Sequence, residues 1–491
     1  MEFDWLTIFN PSMILLSLGG TTLGIIWGAM PGLSTNMAMA LLLGLTYKMS
    51  APVAVVFLIS TLTGSVFGGA ISAILINIPG TPDAVPTQLA GFPLAKQGQG
   101  GLALGCAIFF SFIGNWIGII ALIAFVPVII NIALKFSSWE VFLLAMVGVA
   151  VSGTITSGER PLKGWIAGWI GLLIAFIGKE PIFGIERFTF DYDVLSSGIH
   201  FLPVMIGLFG ITEIIKVLQN EETYTIPAEV GKVFPPFSFI KKFWKTGLRS
   251  GVIGTIIGAI PGTGANVATF VSYNIGEQIS KKDFSKGSFD GVICSEVANN
   301  ATIGGGLLPT LTLGIPGNNS SAIFLAALNL HGIIVGPSIN LEHPGFMYFL
   351  YASLLMANFL MYGMAFALIK PSLKIFSLPR EFLMPIIAVF CLLGTYTLHY
   401  SFFEVILMFA FGVSGYWLNK MKYPFAPLVL GIILGPMADE NLRRTLDIHR
   451  DNFSELLFRP IGLILLLLVI WSFYYSIKKS IRTRADAGDN P

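Results

Sequence analysis

The stretch Gly24-Ile-Ile-Trp-Gly28-Ala-Met-Pro31-Gly32-Leu-Ser-Thr-Asn36-Met-Ala38 returns 230 residues later as Gly254-Thr-Ile-Ile-Gly258-Ala-Ile-Pro261-Gly262-Thr-Gly-Ala-Asn266-Val-Ala268. The aligned blocks agree at Gly24/Gly254, Ile26/Ile256, Gly28/Gly258, Ala29/Ala259, Pro31/Pro261, Gly32/Gly262, Asn36/Asn266 and Ala38/Ala268. Each block has a downstream companion, Asn77-Ile-Pro79-Gly80-Thr81-Pro82-Asp83 in the first half and Gly314-Ile-Pro316-Gly317-Asn318-Asn319-Ser320 in the second. The chain therefore reads as two related halves, each with a hydrophobic segment interrupted by Pro-Gly at two matching places. Proline removes a backbone donor and clashes with the preceding turn, and glycine opens left-handed geometry. Four such interruptions predict four breaks in otherwise apolar helices.

Those helices are membrane helices. Of 491 residues, 54% are hydrophobic and 11% charged, whereas a soluble domain carries about 25% charged residues. Apolar runs such as Leu102–Val126, Phe201–Val217, Phe346–Ile369 and Ile461–Ile477 are long enough to cross a bilayer. They lack the period-two alternation of a transmembrane barrel. The fold class is an all-α polytopic membrane protein, with about 11–13 transmembrane helices plus re-entrant or broken ones. The net charge of +2 gives no reason to expect nucleic acid as a partner. Cys106, Cys294 and Cys391 stand alone in apolar or small-residue sequence and read as small buried hydrophobes. The five histidines show no metal-ligand spacing.

The run Ser12 to Thr46 holds no charged residue; as one straight helix it would span about 52 Å, against a hydrocarbon core of about 30 Å. A bend or a hairpin at Pro31-Gly32 resolves the excess. The polar interval 220–245 is the expected linker between membrane repeat 1 (residues 1–219) and membrane repeat 2 (246–477), with a basic and then polar tail at 478–491. Lys241, Lys242, Lys245 and Arg249, and Lys478, Lys479, Arg482 and Arg484, place the linker and the C-terminus in the cytoplasm by the positive-inside bias. Lys281, Lys282 and Lys286 also favour the cytoplasm, yet one span's worth of apolar sequence separates them from Arg249. A re-entrant hairpin with its tip at Pro261-Gly262 reconciles the two clusters. Carrier precedent makes the repeats inverted.

Each break is followed by short polar side chains. Those expected to bind substrate are Ser34, Thr35, Asn36, Pro79, Gly80 and Thr81 in the first half, and Thr263, Asn266, Gly317, Asn318, Asn319 and Ser320 in the second. Ser, Thr and Asn cap helix starts, and a fresh helix N-terminus attracts anions. Pro31, Gly32, Pro261, Gly262 and Pro316 are the structural breaks. The four motifs contain no Lys or Arg, so an anion site there relies on dipoles and hydroxyls. Ionisable groups in spans are costly and usually functional; Asp83 and Glu296, with Asn299 and Asn300 one turn beyond Glu296, are the candidates for a coupling ion. The glycine ladders Gly24/Gly28/Gly32 and Gly254/Gly258/Gly262 read as helix-packing surfaces. No Walker A, Gly-x-Ser-x-Gly or His-Glu-x-x-His sequence is present, and nothing suggests an enzyme. A coupled carrier, a channel or exporter on the same repeats, and an integral-membrane enzyme acting on lipid intermediates are the readings in play. The repeats favour the first.

In Gly28-Ala-Met-Pro31-Gly32, Asn77-Ile-Pro79-Gly80-Thr81-Pro82, Ser295-Glu296-Val-Ala-Asn299-Asn300, Leu313-Gly-Ile-Pro316-Gly317 and His331-Gly332-Ile-Ile-Val-Gly336-Pro337 the chain resembles the large membrane subunit of the tripartite tricarboxylate transporters, the TctA family, over roughly residues 12 to 435. The resemblance implies a multi-pass protein of the bacterial inner membrane that imports small carboxylates, tricarboxylates such as citrate or related di- and monocarboxylates, by symport with Na⁺ or H⁺ and without another cofactor. It implies two partners, a small four-helix membrane subunit and a periplasmic solute-binding protein. Its similarity to other carboxylate carriers with paired hairpins implies an elevator-type architecture.

Overall fold

A computed structural model describes residues 3–30, 33–156, 160–180, 182, 184–219, 231–375, 380–449, 456 and 459–488. In chain order the helices of the first half are α1 (Pro11–Ala29), α2 (Thr35–Thr46), α3 (Ala51–Ile76), α4 (Val85–Leu94), α5 (Gly100–Ala133), α6 (Ser138–Thr156) and α7 (Pro161–Ala175). A two-stranded antiparallel hairpin, β1 (Gly178–Lys179) and β2 (Glu186–Arg187), and the short α8 (Asp193–Ser196) follow. Then α9 (Phe201–Met205) runs through a π-helical stretch, Ile206–Ile211, into α10 (Thr212–Gln219). The second half holds α11 (Phe237–Gly258), α12 (Gly264–Ser280), α13 (Phe289–Leu313), α14 (Asn319–Leu330), α15 (Ile339–Glu342), α16 (Phe346–Ile375), α17 (Arg380–His399), α18 (Phe402–Lys420), α19 (Phe425–Ile448) and α20 (Pro460–Gly488). Among the described residues, eight helices are long and apolar enough to cross a membrane, and several shorter apolar ones accompany them. The chain is an all-α, multi-pass membrane protein.

Glycine contacts reveal how the helices run. A methyl carbon on Gly24 would stand 2.3 Å from the Thr61 carbonyl oxygen, and one on Gly28 2.1 Å from that of Ser65. Both numbers rise together, so α1 and α3 point the same way, and α2 between them must run back. The second half repeats the arrangement, with Gly254 against the Ala298 carbonyl and Gly258 against Thr302. There α11 parallels α13 and α12 returns. The turn of the second half is in view: Gly262 and Gly264 take φ of +79° and +69°, which glycine adopts at little cost. Pro261-Gly262 is thus the tip of a helical hairpin rather than a kink in one helix. Pro31 and Gly32 lie outside the described residues, although α1 stops at Ala29 and α2 starts at Thr35 on either side of them.

The later pair of breaks shares one local device. Helices α3 and α13 both end on a left-handed residue, Asn77 (φ +59°) and Gly314 (φ +70°), the conformation that closes many helix C-termini. Ile-Pro-Gly follows in each case and brings the chain back alongside the helix it has just left. The Gly80 amide faces the Gly69 carbonyl at 3.4 Å, and the Gly317 amide donates to the Thr310 hydroxyl at 3.3 Å. Helix α14 then begins against α2, as the start of α4 does against α12.

At the centre stand α3 and α13, buried along almost their whole lengths. They run in opposite directions. Gly91 of α4 lies against both Ile74 and Val292, whereas Asn299, further along α13, donates to the carbonyl of Val66, which comes earlier in α3. Around this centre the halves exchange elements. The π-helical stretch and α10 pack on α17 and α18, while α19 packs on α6 and α7, with α20 against α6. The Arg187 guanidinium donates to both oxygens of Asp439 at 3.2 and 2.9 Å, tying the β-hairpin to α19. Of the linker expected at 220–245, residues 220–230 lie outside the described residues. Val233 and Phe234 lie across α5 and α16, with Phe234 stacked on Phe366 at 4.5 Å, and Phe237 to Lys245 already belong to α11.

Backbone-to-backbone contact this close tolerates no side chain. Gly28→Ala should therefore abolish or strongly reduce recovery of folded protein, as read by size-exclusion chromatography and thermal unfolding in detergent. Gly19→Ala in the same helix meets nothing within 4 Å and should leave stability equal or raise it by up to about 1 kcal/mol, the helix-propensity difference.

Candidate functional site

Three helices begin at one place, and their opening residues come from the repeated motifs. Ser34 caps α2 by accepting the Met37 amide at 3.2 Å. Asn318 caps α14 by accepting the Ser321 amide at 2.8 Å, while the Ser321 hydroxyl accepts the Asn318 amide at 2.9 Å, a complete capping box. Thr263 precedes α12, its hydroxyl donating to the Ile260 carbonyl at 3.0 Å. Cross-links hold the three starts together. The Gly262 amide donates to the Gly317 carbonyl at 2.8 Å, joining the two breaks of the second half. The Ser320 hydroxyl donates to Asn36 Oδ1 at 2.7 Å and so ties the start of α14 to the start of α2. The Ser65 hydroxyl donates to Thr35 Oγ1 at 3.0 Å, fixing α2 on α3.

Between them lies a cavity of about 410 Å³. Ser34, Thr35, Asn36, Asp83, Thr263, Asn266, Asn318, Asn319 and Ser320 line it, together with Gly262. The facing wall comes from the exchanged elements: Leu208 and Phe209 of the π-helical stretch, Glu213 and Lys216 of α10, Asn419, and Phe425 at the start of α19. Three helix N-termini aim partial positive charge and amide hydrogens into the space. Lys216, the single cationic side chain on the lining among the described residues, is held by Glu213 at 3.1 Å. This is a concave site with few charges, many hydroxyls and amides, and apolar patches on one side, a surface suited to a small anion that must also leave.

The other residues singled out by sequence stand behind the wall. Gly80 backs it by close packing, since a methyl there would stand 2.0 Å from the Gly28 carbonyl oxygen, and Gly317 approaches the Gly258 carbonyl and Gly306 in the same manner. Pro79, Thr81 and Pro316 are off the lining as well. Glu296 sits in a buried polar seam, where it accepts the Thr87 hydroxyl at 2.5 Å and the Ser111 hydroxyl at 3.0 Å. The Asn300 amide donates to the Glu296 backbone carbonyl at 3.0 Å, and its side-chain oxygen faces Asn115, which also donates to Asn358. Asn299 donates to the Val66 carbonyl at 3.2 Å. The two carboxylates are thus separated in role, with Asp83 on the cavity and Glu296 inside the protein.

Sequence reasoning did not single out Lys216, Glu213 or Asn419. The lysine did carry a signal: it closes the apolar run that begins at Phe201, with a glutamate three residues earlier, and an ionisable pair at the edge of a span deserves a functional reading.

The family described as "Tripartite tricarboxylate transporter TctA family" matches residues 14–430. From Agrobacterium vitis, an "Uncharacterized 52.8 kDa protein in TAR-I ttuC' 3'region" is 32% identical over 483 residues, covering 98% of this chain and 96% of that protein. An "Uncharacterized protein in TAR-II ttuC' 3'region" of the same organism is 33% identical over 235 residues, 48% of this chain and 97% of its own length. No solved structure matches.

The Lys216–Glu213 pair provides a test with opposite signs. Lys216→Gln should weaken binding of a small carboxylate, whereas Glu213→Gln, which frees the ammonium group, should strengthen it by about threefold, the scale of a partly exposed ion pair. Isothermal titration of the purified variants with a carboxylate panel reads both, and equal affinity in the two variants would remove Lys216 from the site.

Proposed function

Because this chain belongs to the tripartite tricarboxylate transporter TctA family, a family of transporters and not of enzymes, we propose that it is the large membrane subunit of a secondary carrier that imports a small carboxylate, driven by a Na⁺ or H⁺ gradient. The observation that carries this reading is the meeting of three helix starts, two of them side-chain capped and drawn from both halves of the chain, around one cavity opposite Lys216. Interrupted helices at a repeat interface are how carriers bind charged solutes in the middle of a bilayer. The site's positive potential comes mostly from helix ends, which bind an anion without the cost of freeing it from paired arginines.

An inverted-repeat organisation is supported by three features. The hairpins α1–α2 and α11–α12 are built alike, the left-handed exits from α3 and α13 carry the same Ile-Pro-Gly, and α3 and α13 run in opposite directions. The cavity lies between the hairpin block and the block of exchanged helices that includes α10 and α19. That placement suits alternating access in which the hairpin block moves, with the substrate, against the other. In the cell the carrier sits in the bacterial inner membrane with its C-terminus in the cytoplasm. It works with a small membrane subunit and a periplasmic solute-binding protein that delivers the carboxylate.

Uptake by proteoliposomes containing the chain and its small subunit, with the loaded binding protein outside, tests the proposal. Accumulation should require an inward cation gradient; accumulation that persists after both Na⁺ and H⁺ gradients are collapsed would reject coupling. Asn36→Ala removes the link to Ser320 and Asn266→Ala a lining amide. Each should slow uptake by roughly tenfold, the scale of one lost charge-assisted hydrogen bond, while inserting normally. Unimpaired transport in both would place the substrate elsewhere.

A further inference from the structure

A buried oxygen without a hydrogen-bond partner is rare, because its desolvation is uncompensated unless a water, ion or ligand meets it. Three of them, Asp83 Oδ2, Thr81 Oγ1 and Asn299 Oδ1, belong to side chains gathered on Asp83, whose carboxylate the Thr81 hydroxyl and the Asn299 amide both approach. Their residues are 8%, 1% and 0% exposed. Gly69 makes the space that Thr81 uses, since a methyl carbon there would stand 2.3 Å from Thr81 Oγ1. Asn299 donates one amide hydrogen to the Val66 carbonyl at 3.2 Å, its amide also faces the Asp83 carboxylate, and its oxygen is met by no donor. Among the described residues, no ion pair involves Asp83. The contrast with Glu296 is sharp, for both of its oxygens are met by hydroxyls.

We propose that Thr81, Asp83 and Asn299 hold one Na⁺ directly, whereas Glu296 and Asn300 brace α13 and take no part in binding it. This rests on the reading of the chain as a cation-coupled carboxylate carrier and narrows it to one cation and one site. All three donors are oxygens, the preference of a hard cation. They bring a single formal negative charge, which balances a monovalent ion and would leave a divalent one partly uncompensated in a poorly solvating interior. A proton on Asp83 would give that carboxyl a donor to share with one neighbour and leave the other oxygen unmet. Asp83 also lines the substrate cavity, which gives the ion its way in and sets it beside the bound anion.

The test is thermal unfolding of the purified full-length chain in detergent, titrated with NaCl while choline chloride holds ionic strength constant, without carboxylate. Wild type and Glu296→Gln should gain a saturable rise in unfolding temperature, and Asp83→Asn should show none. Thr81→Ala and Asn299→Ala, which keep the charge and carry the test should Asp83→Asn fail to fold, should each raise the half-saturating Na⁺ concentration roughly tenfold. Absence of the rise in wild type, an unchanged half-saturation in Thr81→Ala and Asn299→Ala, or loss of the rise in Glu296→Gln would each overturn the site. Uptake measured in parallel separates the two claims: carboxylate uptake without Na⁺ stabilisation defeats the ion site alone, and Na⁺ stabilisation without any uptake defeats the carrier reading alone.

Discussion

A helix may end inside a bilayer only where something other than lipid receives its freed amides and carbonyls, since each unmet group there costs several kcal/mol. Helices of this protein break repeatedly within apolar sequence, and their ends meet one another. The Gly262 amide takes the Gly317 carbonyl, Asn36 takes the Ser320 hydroxyl, and Asn318 and Ser321 close each other's caps. What the pairing leaves over is a set of helix starts facing inward around a shared cavity. The cavity is thus the residue of a satisfaction problem: groups that lipid cannot solvate are gathered in one place, and the amides not used by caps are left facing it.

Gathering them demands close approach, and close approach explains where glycine falls. Gly24 and Gly28 let α1 lie against the backbone of α3, and Gly254 and Gly258 do the same for α11 on α13. Without a hydrophobic force between helices in lipid, such contact and buried hydrogen bonds carry the packing. The central helices can then be polar where they need to be. Helix α13 carries Ser295, Glu296, Asn299, Asn300 and Thr302 in unbroken burial, tolerable because α4 and α5 supply Thr87, Ser111 and Asn115 as partners, with Asn358 of α16 accepting from Asn115 behind them.

The positions of the breaks and most of the polar side chains on the cavity lining were legible because they are local. Pro-Gly stops a helix, Ser, Thr or Asn starts the next, and the duplication says that both copies matter. Features made by distant partners were not. Thr87 meets Glu296 across 209 residues, and no pattern near either one announces it; that both Glu296 oxygens accept hydroxyls is visible only in the structure. Pro79, Gly80 and Gly317 read as binding residues because they sit in the motifs, and the structure puts them behind the cavity lining, with Gly80 and Gly317 in close backbone contact. Lys216 escaped notice for the opposite reason. It lies in no motif and reaches the cavity because α10 crosses to pack on α17 and α18, an exchange that hydropathy does not encode. Helix α11 misleads in yet another manner: its first turns carry Lys241, Lys242 and Lys245, so a polar linker and the start of a membrane helix look alike there.

Charge balance connects the site to the need for a driving ion. Each helix N-terminus is equivalent to roughly half a positive charge, so the three starts supply roughly one and a half; Lys216 adds little while Glu213 holds it, and Asp83 on the same lining subtracts one until a cation meets it. A carboxylate with two or three negative charges exceeds that supply. Burying the excess in a site shielded from water is expensive unless another cation enters with it. A cavity with more lysine or arginine would bind such an anion alone, and tightly, but would then have no reason to wait for a cation and little tendency to let go. The scarcity of fixed positive charge is therefore what makes coupling obligatory in this reading: the solute is affordable only in the company of the ion whose gradient drives it.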